Sequence, residues 1–199
     1  MKFLIAIFDK VLYKWHYSKL NVLKTLIFNF RTMPFKVAIT LPVFLYGKID
    51  IYFLKGEVEF QGCEVKRAMV RMGMNQEYLG TVKGASLIIL NSDSKLIFEG
   101  NSEFSSNFLL RIEEGAELKL GKGTYFGSSV KLVCIKKVVI GNYTRIGFES
   151  QVIDSNFHYT YNVENQKVNP RESEITIGEY NWIGNRTTIA KGTKTESFT

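Results

Sequence analysis

Acidic residues are nearly missing from the first quarter of this chain. Across residues 1–50 only Asp9 and Asp50 stand against Lys2, Lys10, Lys14, Lys19, Lys24, Arg31, Lys36 and Lys48. This segment holds +6 of the formal net charge of +7 carried by 199 residues, so the basic character belongs to the N-terminus. Cysteine is scarce too. Cys63 and Cys134 stand alone, with no CxxC and no ligand spacing, which excludes a disulfide framework and a zinc finger and leaves reduced thiols as the expectation. Long apolar runs are lacking: the longest near the start, residues 3–8, has six members. About 20 are needed to cross a bilayer, and six is short even for a signal-peptide core. Secretion and a membrane span are therefore not expected, and a cytoplasmic location is. What is present is 45% apolar residues, enough at this length for one domain that buries roughly 70% of its unfolded surface.

Residues 1–30 contain no Pro or Gly, and Phe3, Leu4, Ile7, Phe8, Val11 and Leu12 follow one another in steps of three and four. That spacing predicts a helix face. Further helix is expected to stop before Met33-Pro34 and Leu41-Pro42, because proline disfavours helix in the residue ahead of it. Lys10, Lys14, Lys19 and Lys24 fall on the other side, with Tyr13, Trp15 and Tyr17 available for a headgroup layer. Two uses stay open and can coexist: a basic helix that packs on the body and shields one end, or peripheral contact of residues 1–30 with the inner face of an anionic membrane. Nucleic acid is not an expected partner, since no reader motif accompanies the lysines. Residues 1–47 form this helical segment, and 48–199 form the second unit.

From Gly47 onward, short β-branched and aromatic runs broken by Gly, Asn and charged pairs predict many short strands. A period of six then emerges. The segments are LGKGTY and FGSSVK from Leu120, IGNYTR, IGFESQ and VIDSNF from Ile140, and IGEYNW, IGNRTT and IAKGTK from Ile177. Each opens on a bulky apolar residue, and six of the eight place glycine second: Gly121, Gly127, Gly141, Gly147, Gly178 and Gly184. With 16 glycines in 199 residues, chance would place fewer than one in eight such slots. The fifth place is usually small, as at Thr124, Val130, Thr144, Ser150, Thr187 and Thr193, with Asn156 and Asn181 as exceptions. Such a period suits a coil with three flat sides in which every sixth residue points to the axis. Glycine and asparagine are expected to supply unusual backbone angles at the corners. The expected inward residues are Leu120, Phe126, Leu132, Ile140, Ile146, Val152, Ile177, Ile183 and Ile189. Phe98, Leu120, Ile140 and Ile177 are separated by 22, 20 and 37 residues, so a loop at 159–174 is inserted into the last interval. KGEVEF and MVRMG upstream suggest earlier, less regular coils.

These residues resemble the hexapeptide-repeat acyltransferases, and most closely the sugar O-acetyltransferases of the maltose and galactoside acetyltransferase type and their relatives in bacterial surface-polysaccharide clusters. The paired IGNYTRIG run, DSNFH at 154–158 followed by the inserted loop, and ITIGEYNWIGNRTTIAKGT at 175–193 carry the likeness. It spans residues 120–193, and KTLIFNFRTMPF upstream is similar to the lead-in of the polysaccharide-cluster members, less specifically. The resemblance implies a mostly β fold, a left-handed parallel β-helix. The general rule for crossovers alone would have predicted the opposite hand. It also implies a homotrimer that binds acetyl-CoA between subunits, with a sugar or glycan hydroxyl as acceptor.

The resemblance assigns His158 as the base that deprotonates the acceptor, a task suited to imidazole near neutral pH. Asp154 is assigned to orient it or to hold the sugar, although a turn aspartate bonded to its own backbone is an equal alternative. Asn156 is a substrate-binding candidate, or an inward-facing residue. Trp182 matches the tryptophan beside the acyl-CoA arm, and Gly184 and Asn185 match the donor site, where the Asn185 amide would meet the thioester oxygen. Lys191 and Lys194 are candidates for CoA phosphates or plain solvated lysines. His16 has no such context. No metal is required for direct transfer, and two histidines cannot form the three-histidine zinc site of a carbonic anhydrase-like enzyme.

N-acylation of an amino sugar and a non-catalytic β-helix scaffold remain as alternatives. Similar enzymes continue with a further coil and a cap, whereas here IAKGTK runs into TESFT. The expectation is a C-terminally truncated chain with a weakened donor site.

Overall fold

A computed structural model describes residues 19–75, 84–164 and 166–198. The predicted face over residues 3–12, Lys10, Lys14 and His16 lie outside the described residues. The described chain is mostly β, with two helices at its start and three parallel sheets of stacked short strands, the arrangement of a β-helix.

Helix α1 (Val22–Thr32) starts at Asn21, whose side chain accepts from the Lys24 amide, and stops at extended Met33 ahead of Pro34. Helix α2 (Phe35–Ala38) ends before Leu41-Pro42. The first stop follows the steric rule for residues that precede proline, whereas the chain leaves α2 through Leu41 at φ +50°. The uncharged polar residues of α1 face inward. Asn29 donates from Nδ2 to the Val43 carbonyl at 2.7 Å and accepts from the Val43 amide at 3.2 Å, while the Thr25 hydroxyl accepts from the Leu45 amide at 3.0 Å. α1 thus takes the place of a neighbouring strand along Val43–Leu45 and satisfies backbone groups that a bare edge would leave open. Lys24 does not sit with solvated lysines; it is half-buried and ion-paired to Asp50.

The first sheet stacks Val43–Leu45, Val70–Met74, Ser102–Ser105, Thr124–Phe126, Arg145–Ile146 and Trp182–Ile183. The second holds Ile49–Leu54, Ser86–Leu90, Leu109–Ile112, Lys131–Cys134, Gln151–Ile153 and Thr188–Ala190. The third holds Glu57–Phe60, Lys95–Phe98, Glu117–Leu120, Lys137–Ile140 and Ile175–Ile177. The chain visits the three in turn, so residues in register come from successive turns. Leu120, Ile140 and Ile177 align in one ladder, Phe126, Ile146 and Ile183 in the next, and Leu132, Val152 and Ile189 in the last. All nine belong to the core or pack against it, with Ile183 only half-buried. Phe104 and Phe126 stack within that core with centroids 4.3 Å apart.

The corners differ from the expectation. The glycines in second place do not supply the left-handed angles; residues in fourth place do, including Ser129, Tyr143, Glu149, Tyr180 and Arg186, all with φ near +60°. Glycine is needed instead for close approach between turns. A Cβ on Gly141 would meet the Glu179 amide nitrogen at 2.6 Å, and one on Gly178 would meet the Glu196 carbonyl oxygen at 2.5 Å. The small fifth residues also do more than avoid crowding: the Thr144 and Ser150 hydroxyls donate to the Gly178 and Gly184 carbonyls, each at 2.9 Å. TESFT stays with the stack. Thr195 and Ser197 hydroxyls accept from the Gly178 and Glu179 amides, and Phe198 stacks on Tyr180.

Candidate functional site

The loop inserted between Ile153 and Ile175 is tied at its neck. The Ser173 amide donates to the Asp154 carbonyl and the Asn156 amide to the Arg171 carbonyl, both at 3.0 Å. Beyond the neck, Thr160–Asn162 and Lys167–Asn169 form an antiparallel hairpin. His158 sits between neck and hairpin and is exposed, as is Asn156. Phe157, with φ of +61°, makes the turn that throws the imidazole outward.

Asp154 lies elsewhere in its bonding. Its carboxylate is fully buried and accepts from the backbone amides of Ile135 at 2.7 Å and of Lys136 and Lys137 at 2.8 Å each. The Cys134 thiol is 3.8 Å from Oδ2. Burial, and then the adjacent carboxylate, push this thiol well above the ordinary cysteine range. The carboxylate does not bond its own local backbone: its oxygens hold the turn at 134–137, contributed by the preceding coil, and among the described residues it makes no hydrogen bond or ion pair with His158.

Two clefts flank these elements. The first, of 440 Å³, is lined by Arg111, Glu113, Glu114, Ile135, Ser155, Phe157, Arg171 and Glu172. Its cations are internally paired: Arg111 Nε donates to Glu113 Oε1 at 2.5 Å and Arg171 Nε to Glu172 Oε2 at 2.8 Å. Sequence reading singled out none of these side chains. Ser155 and Phe157 alone had a signal, their places in DSNFH; the others meet them through the stacking of turns and the tie at the neck of the loop.

The second cleft, of 270 Å³, lies on the outer face of the first sheet between Tyr125, Arg145, Ile146, Gly147, Trp182 and Asn185. Trp182 and Asn185 are thus brought together, and Trp182 is 78% exposed. Trp182 pairs in register with Arg145, whose guanidinium lies 5.6 Å from the Tyr125 ring centroid. Gly184 is exposed, and a Cβ there would find nothing nearer than Thr187 Oγ1 at 3.8 Å. This glycine is not demanded by packing.

His158 lines neither cleft. Lys191 donates to the Pro170 carbonyl and so pins the far end of the loop, whereas Lys194 is exposed. The outer face of the third sheet is occupied by cross-turn ion pairs, Glu59–Lys95, Glu99–Lys119 and Glu117–Lys137, which makes it a solvated charged surface. Among the described residues no three His, Cys, Asp or Glu side chains come together as a metal-binding group, and no helix is long and apolar enough to cross a membrane. Comparison of the chain with protein-family models, with curated proteins and with solved structures found no match.

Proposed function

We propose that this chain is an acetyl-CoA-dependent O-acetyltransferase that modifies a sugar hydroxyl, in the synthesis of a surface polysaccharide. In this reading its coils are hexapeptide repeats of a left-handed β-helix, and it works in the cytoplasm as a homotrimer. One observation carries the reading: Trp182 and Asn185, matched separately to the donor site from sequence, line one groove with Gly147. The open space at Gly184 leaves room for the pantetheine arm beside Trp182.

In the reaction, the acceptor hydroxyl oxygen attacks the thioester carbonyl carbon while its proton passes to His158. The carbonyl oxygen becomes an oxyanion, met by the Asn185 backbone amide. Collapse expels the CoA thiolate, which recovers the proton from the imidazolium, and the products are an acetate ester and free CoA. No metal is needed. Since His158 and Trp182 occupy separate parts of one chain, the site is assembled between subunits, the loop of one reaching the groove of the next. The exposure of Tyr159, Tyr161, Val163 and Val168 on that loop, 59–79% each, supports an adjoining protein surface.

A second reading, a non-catalytic scaffold, is favoured by the full engagement of Asp154, which leaves that carboxylate no part in orienting the imidazole. Thiol release from acetyl-CoA with a panel of sugar acceptors separates the two. Turnover lost in His158→Ala supports the enzyme; no turnover with any acceptor supports the scaffold.

A further inference from the structure

The helix α1 is built inside out for a surface helix. Its inward positions, Thr25, Asn29 and Thr32, are polar and buried beside Phe28, and the first two are bonded to the edge of Val43–Leu45. Its outward positions are apolar but for Arg31 in the last turn. Val22, Leu26 and Phe30 follow at steps of four with Leu23 and Ile27 beside them, and the five are 38–67% exposed. Phe30 also meets Phe35 of α2 at 6.0 Å between centroids, and Phe35 is 71% exposed. Turning α1 about its axis would bury this face only by breaking its bonds to Val43 and Leu45, so the fold holds the apolar side outward.

The charge carried by the segment that forms this patch is basic. Lys19, Arg31, Lys36 and Lys48 are exposed, and no Asp or Glu occurs anywhere in residues 10–49. Asp50 is spent on Lys24 and Glu59 on Lys95, and Glu57 and Glu59 share a cleft with Arg31, so cations predominate beside the apolar face, which matches a surface that is apolar beneath an anionic layer. A second copy of this chain fits less well, because it would bring the same cations against one another. With eleven residues α1 is about 16 Å long, roughly half of a hydrocarbon core, so its fit is to lie in the surface.

We propose that the α1–α2 face docks on an anionic lipid bilayer, with the outward side chains at the acyl boundary and the cations at the phosphate level. The proposal does not rest on the transferase reading.

The test is co-sedimentation of the full chain with vesicles of phosphatidylcholine alone and of phosphatidylcholine mixed with phosphatidylglycerol, at low and raised salt. The chain is expected on the anionic vesicles only, and salt should release it. Leu23→Glu combined with Ile27→Glu should weaken binding more than about tenfold. Arg31→Gln and Lys36→Gln, which leave the apolar patch and the strand-edge bonds untouched, should each weaken it about fivefold. Equal binding to both vesicle types, or binding unaffected by all four substitutions, would overturn the proposal. So would self-association in the ultracentrifuge that Leu23→Glu/Ile27→Glu abolishes in a chain that binds no vesicles, since a second copy would then be the occupant.

Discussion

Asn29 and Val43 exchange two hydrogen bonds, side-chain amide to carbonyl at 2.7 Å and backbone amide to side-chain carbonyl at 3.2 Å, although they belong to a helix and a strand. An asparagine amide carries the same donor and acceptor as a peptide unit, so one side chain can close the edge of a sheet. Asn29→Ala leaves both Val43 groups buried without partners and should cost about 2–4 kcal/mol in urea unfolding. Asn29→Asp keeps the acceptor but turns a second oxygen toward the Val43 carbonyl, and it should be no better tolerated.

Asp154 and His158 stand four residues apart in DSNFH and answer to different measurements. Asp154→Ala removes a buried carboxylate that accepts from three part-buried backbone amides and should destabilise the fold by about 2–4 kcal/mol. His158→Ala removes an exposed side chain and should leave the unfolding midpoint within the range of ordinary surface changes, about 0.5 kcal/mol. Equal stability losses in the two variants would contradict this division.

The glycines divide in the same way. Gly141→Ala forces a Cβ to 2.6 Å from a backbone nitrogen and should open the neighbouring turns, with a loss of several kcal/mol on the order of other overpacked core sites. Gly184→Ala meets only an ordinary contact at 3.8 Å. It should leave thermal stability nearly unchanged while raising the apparent Kd for acetyl-CoA.

Cys134 sets a dependence on alkaline pH. Its thiol is raised in the folded chain by burial and by the Asp154 carboxylate, while the unfolded chain releases this proton above about pH 8.5. Above that pH the unfolded state binds fewer protons than the folded state, so stability falls as pH rises. The contribution is complete below pH ~8.5 and lost at about 1.4 kcal/mol per pH unit beyond it. Unfolding titrations at pH 7, 9 and 10 should show this slope in the parent chain and a shallower one in Cys134→Ala.

The ladder of Leu120, Ile140 and Ile177 was legible because its period repeats with glycine beside each member. Earlier turns carry a weaker marker: the spacing places Phe98 in the same series, and it pairs with Leu120, but nothing in Ser86–Leu90 announces which turn it stacks on. The roles of the glycines were misassigned because close approach and left-handed φ both select glycine, and only the folded chain separates Gly141 from Tyr143. The inverted face of α1 had no signal either, since the need for Asn29 and Thr25 to face inward arises from a strand edge further along the chain. Arg111 and Arg171 face one cleft through the stacking of distant turns, which no local pattern records.

Acetyl transfer itself is the most direct test of the central claim. Purified chain is incubated with acetyl-CoA labelled in the acetyl group and a panel of sugars, and label recovered on the sugar is followed before and after mild alkali. The account predicts alkali-labile label on at least one hydroxyl acceptor, lost in His158→Ala and weakened through a higher KM for acetyl-CoA in Trp182→Ala. Label that resists alkali, label undiminished in His158→Ala, or none on any acceptor would contradict it.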